Sequence, residues 1–180
     1  MFQKMSVRIG LVLTLLLLTG AAYAQEAVPQ HSDPHWQTSY WNNTSLRGIP
    51  QWAGTVASID FDWGYGSPNH VVATEGFSAR WQRMVELEKG IYRFTATSDD
   101  GIRVYVDGRT VIDQWHDHPL RTYVADVSLQ TGHHQLTVEY YENTGLAVAR
   151  VSWAPIVQAG AWRGQYYGNP WLGGAPILTR

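Results

Sequence analysis

Apolar and polar residues alternate in short runs along most of the chain. Ile59, Phe61 and Trp63 alternate with Asp60 and Asp62, and Tyr92, Phe94 and Ala96 with Arg93, Thr95 and Thr97. The same two-residue period runs through Ile102, Val104 and Val106, through Tyr123, Ala125, Val127 and Leu129, and through Leu136, Val138 and Tyr140, with Val151 and Trp153 closing the series. A period of two places successive side chains on opposite faces, so each run predicts a strand with one buried face. Turn residues separate the runs: Gly64 to Asn69, Glu88-Lys89-Gly90, Asp107-Gly108 and Thr131-Gly132. Asp-Gly between two β-rich runs predicts a hairpin with a type I′ turn, which needs positive φ at both central residues. Arg80 to Lys89 has the composition of a helix, but Gly76 and Gly90 bracket it tightly. Trp81, Val85 and Leu87 also fit one strand face, and the stretch is read as strand. Many short strands without a helix predict an all-β, antiparallel sandwich or barrel-like domain.

The amino end departs from this pattern. Lys4 and Arg8 precede an apolar run from Ile9 to Leu18, followed by Ala22-Tyr23-Ala24. That order is the charged, apolar and small-x-small layout of a cleaved secretory signal, here residues 1–24. The run is too short for an ordinary membrane-spanning helix, so the mature form is expected to be secreted without membrane insertion. Residues 25–35 are polar, contain two prolines and read as a linker. Without the signal, 11 basic residues face 15 acidic ones, a net charge of −4, while all nine tryptophans remain. An acidic surface argues against nucleic acid and anionic membranes as partners. There is no cysteine. The domain, residues 36–156, must therefore stand in an oxidising compartment on its core or on a bound ion, without disulfides.

An internal repeat lies near the carboxyl end. Trp36, Tyr40, Asn43, Leu46, Gly48 and Pro50 recur 126 positions later as Trp162, Tyr166, Asn169, Leu172, Gly174 and Pro176. Six identities in fifteen positions compare with about one by chance. Residues 157–180 are thus expected to be a linker and the first strand of an incomplete second repeat, as in a tandem array.

Several blocks stand in a recognisable order. Tyr40-x-Asn-x-x-Leu-x-Gly-x-Pro50 is followed by Ile59-Asp-Phe-Asp-Trp-Gly64 and Phe77-Ser-x-Arg-Trp81. Gly90-x-Tyr-x-Phe94, Ser98-Asp-Asp-Gly-Ile-Arg-Val-Tyr-Val-Asp-Gly108, Ile112-Asp-x-Trp115 and Glu139-Tyr-Tyr-Glu-Asn-Thr-Gly-Leu-Ala147 complete the series. From Trp36 to Pro155 the chain resembles the PA-14 domain, named from the protective antigen of anthrax. The resemblance implies a β-sandwich or barrel-like fold. Such domains occur in toxins, glycosidases, proteases and flocculation lectins, and many bind carbohydrate.

In the flocculation lectins the pair matching Asp99-Asp100 is joined by a cis peptide and holds calcium. The resemblance therefore implies a calcium site made by Asp99, Asp100, the Asn143 side-chain oxygen and the backbone carbonyls of Gly145 and Ala147. Calcium takes about 6–8 hard oxygen ligands, so vicinal hydroxyls of a glycan or polysaccharide would fill what the protein leaves open. Those lectins also carry extra sugar-contacting loops and disulfides that this chain lacks. Trp115 and Tyr141 are candidates to stack on a sugar ring. Asp-Asp-Gly is equally a good turn sequence, its carboxylates bonding local backbone N–H groups. Asp60-x-Asp62 reads as structural hydrogen bonding, His116-x-His118 as a solvated loop, and His133-His134 as exposed residues after a turn. No nucleophile elbow, zinc-binding helix, P-loop or dinucleotide fingerprint occurs. Two functions remain: a secreted, non-catalytic, calcium-dependent carbohydrate-binding module, or a structural or adhesive spacer repeat binding neither ion nor sugar.

Overall fold

A computed structural model describes residues 32–157 and 164–179, so the signal segment 1–24 lies outside the described residues. Ten antiparallel strands make two facing sheets. The first holds β1 (Trp36–Trp41), β2 (Trp52–Val56), β4 (Phe77–Leu87), β6 (Ile102–Val106), β7 (Arg109–Gln114) and β9 (Gly132–Glu142), in the order β2-β1-β4-β9-β6-β7. The second holds β3 (Ile59–Gly64), β5 (Gly90–Ser98), β8 (Arg121–Leu129) and β10 (Ala147–Pro155), in the order β3-β10-β5-β8. A separate small hairpin pairs β11 (Gln165–Tyr166) with β12 (Leu178–Thr179). The expected all-β sandwich is the observed fold.

The inward halves of the alternating runs fill the space between the sheets. Phe77, Ala79, Trp81, Val138 and Tyr140 from the first sheet meet Ile59, Phe94, Ala96 and Ala149 from the second. Phe61 stacks on Trp63 at 4.8 Å and on Trp81 at 5.8 Å, and Trp63 meets Phe77 edge-on at 5.6 Å. This packed aromatic layer takes the place of the missing disulfides. Asp107 (φ 51°) and Gly108 (φ 74°) form the expected tight turn between β6 and β7.

Three readings need correction. The linker does not run to residue 35, because Asp33 already belongs to the fold. Its N–H donates to Met84 O at 2.8 Å, its carboxylate accepts from Met84 N at 3.0 Å, and its carbonyl from Arg83 Nε at 2.9 Å. His134 is buried, with Nδ1 2.7 Å from Asp107 Oδ2 and Nε2 2.9 Å from Gln130 O. His118 is also buried, against Tyr123 at 5.3 Å, while His116 in the same loop is exposed. Asp60 and Asp62 both bind Arg150 across the β3–β10 pair, at 3.3 and 2.8 Å.

Register decides what lies at one end of the sandwich. Three links cross from sheet to sheet: residues 99–101 join β5 to β6, 115–120 join β7 to β8, and 143–146 join β9 to β10. Ile102 pairs with both Tyr140 and Gln114, while Ser98 pairs with both Ala149 and Arg121. All three links therefore emerge at the same end.

Candidate functional site

These links enclose an open depression of about 510 Å³, lined by Asp99, Asp100, Asp117, His118, Pro119, Leu120, Thr144 and Leu146. Asp99 and Asp100 are 8% and 6% exposed. Asp99 Oδ1 accepts Val148 N–H at 3.0 Å and lies 3.1 Å from the Tyr140 hydroxyl. Its other oxygen, Oδ2, is buried with no protein partner. Asp100 Oδ2 accepts the Asn143 N–H at 2.8 Å, and Ser98 Oγ donates to the Asp100 carbonyl at 2.8 Å. Every peptide bond among the described residues is trans, unlike the flocculation-lectin pair.

Asp117 is the acidic residue that sequence reasoning passed over. Its Oδ1 accepts the Tyr141 hydroxyl at 2.6 Å and its Oδ2 accepts Asn143 Nδ2 at 2.7 Å. Those two bonds hold its carboxyl below the usual range. Burial pushes the Asp100 carboxyl up against the Asn143 hydrogen bond, and the charges of Asp117 and Asp99 add to the rise. A signal for Asp117 existed in the sequence. The Asp107-Gly108 turn sets β7 against β6, so the loop leaving Gln114 must come out beside the loop entering Ile102.

The structure brings Asp99, Asp100 and Asn143 together as expected, but in altered roles. Asn143 turns its amide nitrogen, not its oxygen, toward Asp117. Tyr141 is 8% exposed, with its ring lying over Gly101, so it has no free face for a sugar. Its hydroxyl orients Asp117 instead. One face of Trp115 is covered by the Arg103 guanidinium at 3.8 Å, and Tyr141 meets the ring edge-on at 4.8 Å. Asp99 and Asp100 are both buried rather than displayed on a solvated turn. Gly145 adopts φ 109°, and Ala147 is buried at the start of β10.

Hard carboxylate oxygens, one of them buried without a partner, are the donor type calcium requires. The donor chemistry fits the ion. Among the described residues, however, no group of three His, Asp or Glu side chains is gathered closely enough to hold a metal.

Behind the depression lies a buried carboxyl pair. The Tyr140 hydroxyl is 2.8 Å from Glu142 Oε2 as well as 3.1 Å from Asp99 Oδ1. A hydroxyl has one proton to donate. Burial pushes the Glu142 carboxyl up to about 8, and the charges of Asp99 and Asp100 add to this. With the Glu142 carboxyl protonated, it donates to the Tyr140 oxygen and leaves the Tyr140 proton for Asp99.

The PA14 domain profile matches residues 35–160. The anti-sigma-I factor RsgI3 of Acetivibrio thermocellus is 32% identical over 117 residues, 64% of this chain and 18% of that protein. A solved anti-sigma factor domain-containing protein from Clostridium clariflavum is 26% identical, with TM-score 0.63 over 69% of this chain and 42% of that one. A solved PA14 sugar-binding domain from an RTX adhesin shares the fold at 18% identity and TM-score 0.52, covering 71% of this chain and 92% of that one. The chain thus spans less than half of both anti-sigma relatives.

Proposed function

The chain belongs to the PA14 domain family, and from that premise we propose that it is an exported, non-catalytic carbohydrate-binding module that uses calcium to hold its sugar. The observation that carries this reading is the depression in which Asp99, Asp100 and Asp117 meet, with one Asp99 oxygen buried and unpartnered. Asp99 and Asp100 would hold the ion, together with the backbone carbonyls of Gly145 and Ala147, and Asp117 on the same depression would add its negative charge. Asn143 would join through its oxygen only after its amide turns away from Asp117. Calcium, when bound, supplies a charge on which sugar hydroxyls replace water. The exposed side chains of Leu120 and Leu146 line the same depression and offer apolar contact to a sugar ring face. The sugar-binding role of the RTX adhesin domain is the one proposed here. The module is shared with larger proteins of other roles, the anti-sigma factors among them.

The rival reading is a structural or adhesive unit without ion or sugar. It draws on the lack of three gathered metal-binding side chains among the described residues. A glycan array with calcium and with chelator separates the two. Calcium-dependent glycan signals are expected, and none with or without calcium would favour the rival. An ion that binds only the folded state stabilises it by about 2.7 kcal/mol at a hundredfold excess over Kd. Saturating calcium should therefore raise the melting temperature, and Asp100→Asn with Asp117→Asn should abolish the rise. These two are better targets than Asp99, whose Oδ1 serves the fold. A melting curve unmoved by calcium would remove the ion from the proposal.

Export is tested separately. Amino-terminal sequencing of protein recovered outside the cytoplasm is expected to begin at or near Gln25; an intact Met1 would exclude cleavage.

A further inference from the structure

The β11–β12 hairpin reproduces the strand register, the closing backbone bond and the asparagine-held loop of the β1–β2 hairpin, 126 residues on. Tyr40 pairs with Trp52, and Tyr166 pairs with Leu178. Gln51 N–H donates to Tyr40 O at 2.8 Å, and Ile177 N–H donates to Tyr166 O at 2.8 Å. Asn43 accepts from Arg47 N–H and donates to Arg47 O, at 3.1 and 3.0 Å. Asn169 does the same with Gly173, at 3.0 and 2.8 Å. Leu46 and Leu172 hold φ of 57° and 56°, and Gly48 and Gly174 hold 80° and 83°. Leucine rarely adopts a left-handed backbone, so the shared value at both copies marks one loop design, beyond a chance two-residue pairing.

What differs is the cover. Tyr40 is 3% exposed because β4 pairs with β1, in register from Gln37↔Gln82 to Trp41↔Ser78. Tyr166 is 53% exposed, and Trp171, Leu172 and Ile177 are open as well. We infer that residues 164–179 are the opening hairpin of a second unit of this fold, and that the hairpin's open edge and apolar face dock a β4-type strand of that unit. Such a strand runs antiparallel to residues 164–167 and carries the Phe77-x-Ala79-x-Trp81 pattern on its inward face. The first unit shows this partner directly. Its own β4 is not available, being paired on both edges by β1 and β9. Unpaired edges and bare apolar faces are otherwise managed by covering them.

The full chain extended after Arg180 by a repeat of residues 55–156 tests this, since Arg180 stands where Gly54 stands in the first unit. The appended stretch is expected to fold. Hydrogen exchange at the Gln165 and Tyr166 amides should slow at least a hundredfold, and a second protease-resistant unit should appear. Tyr166→Asp should remove the second unit and leave the first intact. A matched chain in which residues 162–180 are replaced by 36–54 sets the standard. Folding of the matched chain but not of the tail-started one overturns the proposal. So does folding that survives Tyr166→Asp. Failure of both also overturns it, because no second unit could then follow at this distance. In the unextended chain, deleting residues 164–180 is expected to shift the melting temperature by less than a degree or two. A large drop would mean that the hairpin covers the first unit. A doubled mass by light scattering that is lost on this deletion would place a second copy's strand on the hairpin instead.

Discussion

Glu142→Gln is expected to abolish most of the loss of stability that the wild type undergoes between pH 5 and pH 8. Glu142 is fully buried, and its folded-state carboxyl titrates at about 8 against 4.5 for the free group. The unfolded chain releases the proton as pH passes 4.5, whereas the folded chain keeps it until about 8. Across that window the unfolded state binds fewer protons, so stability falls as pH rises. The loss is on the order of 3–5 kcal/mol for a shift of this size. Glutamine has the same shape and no proton to lose. It can donate to the Tyr140 oxygen as the protonated acid does, leaving one buried N–H unpaired at a cost of about 1–2 kcal/mol. The variant should therefore be slightly less stable than wild type at pH 5 and clearly more stable at pH 8. Urea unfolding at both pH values, in chelator so that no cation sits near Asp99, checks this. A wild-type slope shared by the variant would show that Glu142 is ionised throughout.

Gly101→Ala is expected to destabilise the domain by about 1–3 kcal/mol, the usual cost of forcing extra volume into a packed site. A Cβ at Gly101 would overlap three Tyr141 ring carbons, well inside van der Waals contact distance. The ring cannot swing aside freely. Its hydroxyl is tied to Asp117 at 2.6 Å and its body packs edge-on to Trp115 at 4.8 Å. The strain therefore reaches the candidate site. Once the Tyr141 hydrogen bond loosens, the Asp117 carboxyl should titrate closer to its ordinary value, since that bond is the first cause of its depression. Thermal melts give the energy and NMR titration of Asp117 gives the site effect. In a Tyr141→Ala background the cost of Gly101→Ala should fall sharply, because the obstacle is gone. An undiminished cost there would place the clash elsewhere.

Much of this protein was legible in its alternation of apolar and polar residues. Strands such as Tyr92 to Ser98 and Ile102 to Val106 bury one face only, and a two-residue period leaves no other arrangement once a core must form. Asp107-Gly108 determined its hairpin because few residues tolerate positive φ twice in succession. The pairing of Asp99-Asp100 with Asn143 was also readable from the order of the family's blocks. The tail hairpin followed from repeated side chains whose bonds are local: Asn169 reaches only four residues ahead, to Gly173.

Tertiary structure decided what depends on residues far apart in sequence. Asp117 joined the acidic depression only because the register of β6, β7 and β8 delivers its loop beside residues 99–101 and 143–146. Tyr141 lost its free face to Gly101, 40 positions earlier, through a contact between facing loop and strand that no local pattern encodes. Glu142 sits where strand alternation would turn it to one side, yet its raised carboxyl follows from its burial, with the charges of Asp99 and Asp100 adding to the rise. Local periodicity specifies which face of a strand is buried; only the packed sheets specify which charges are buried together, because proton affinity responds to distance and desolvation and not to sequence separation.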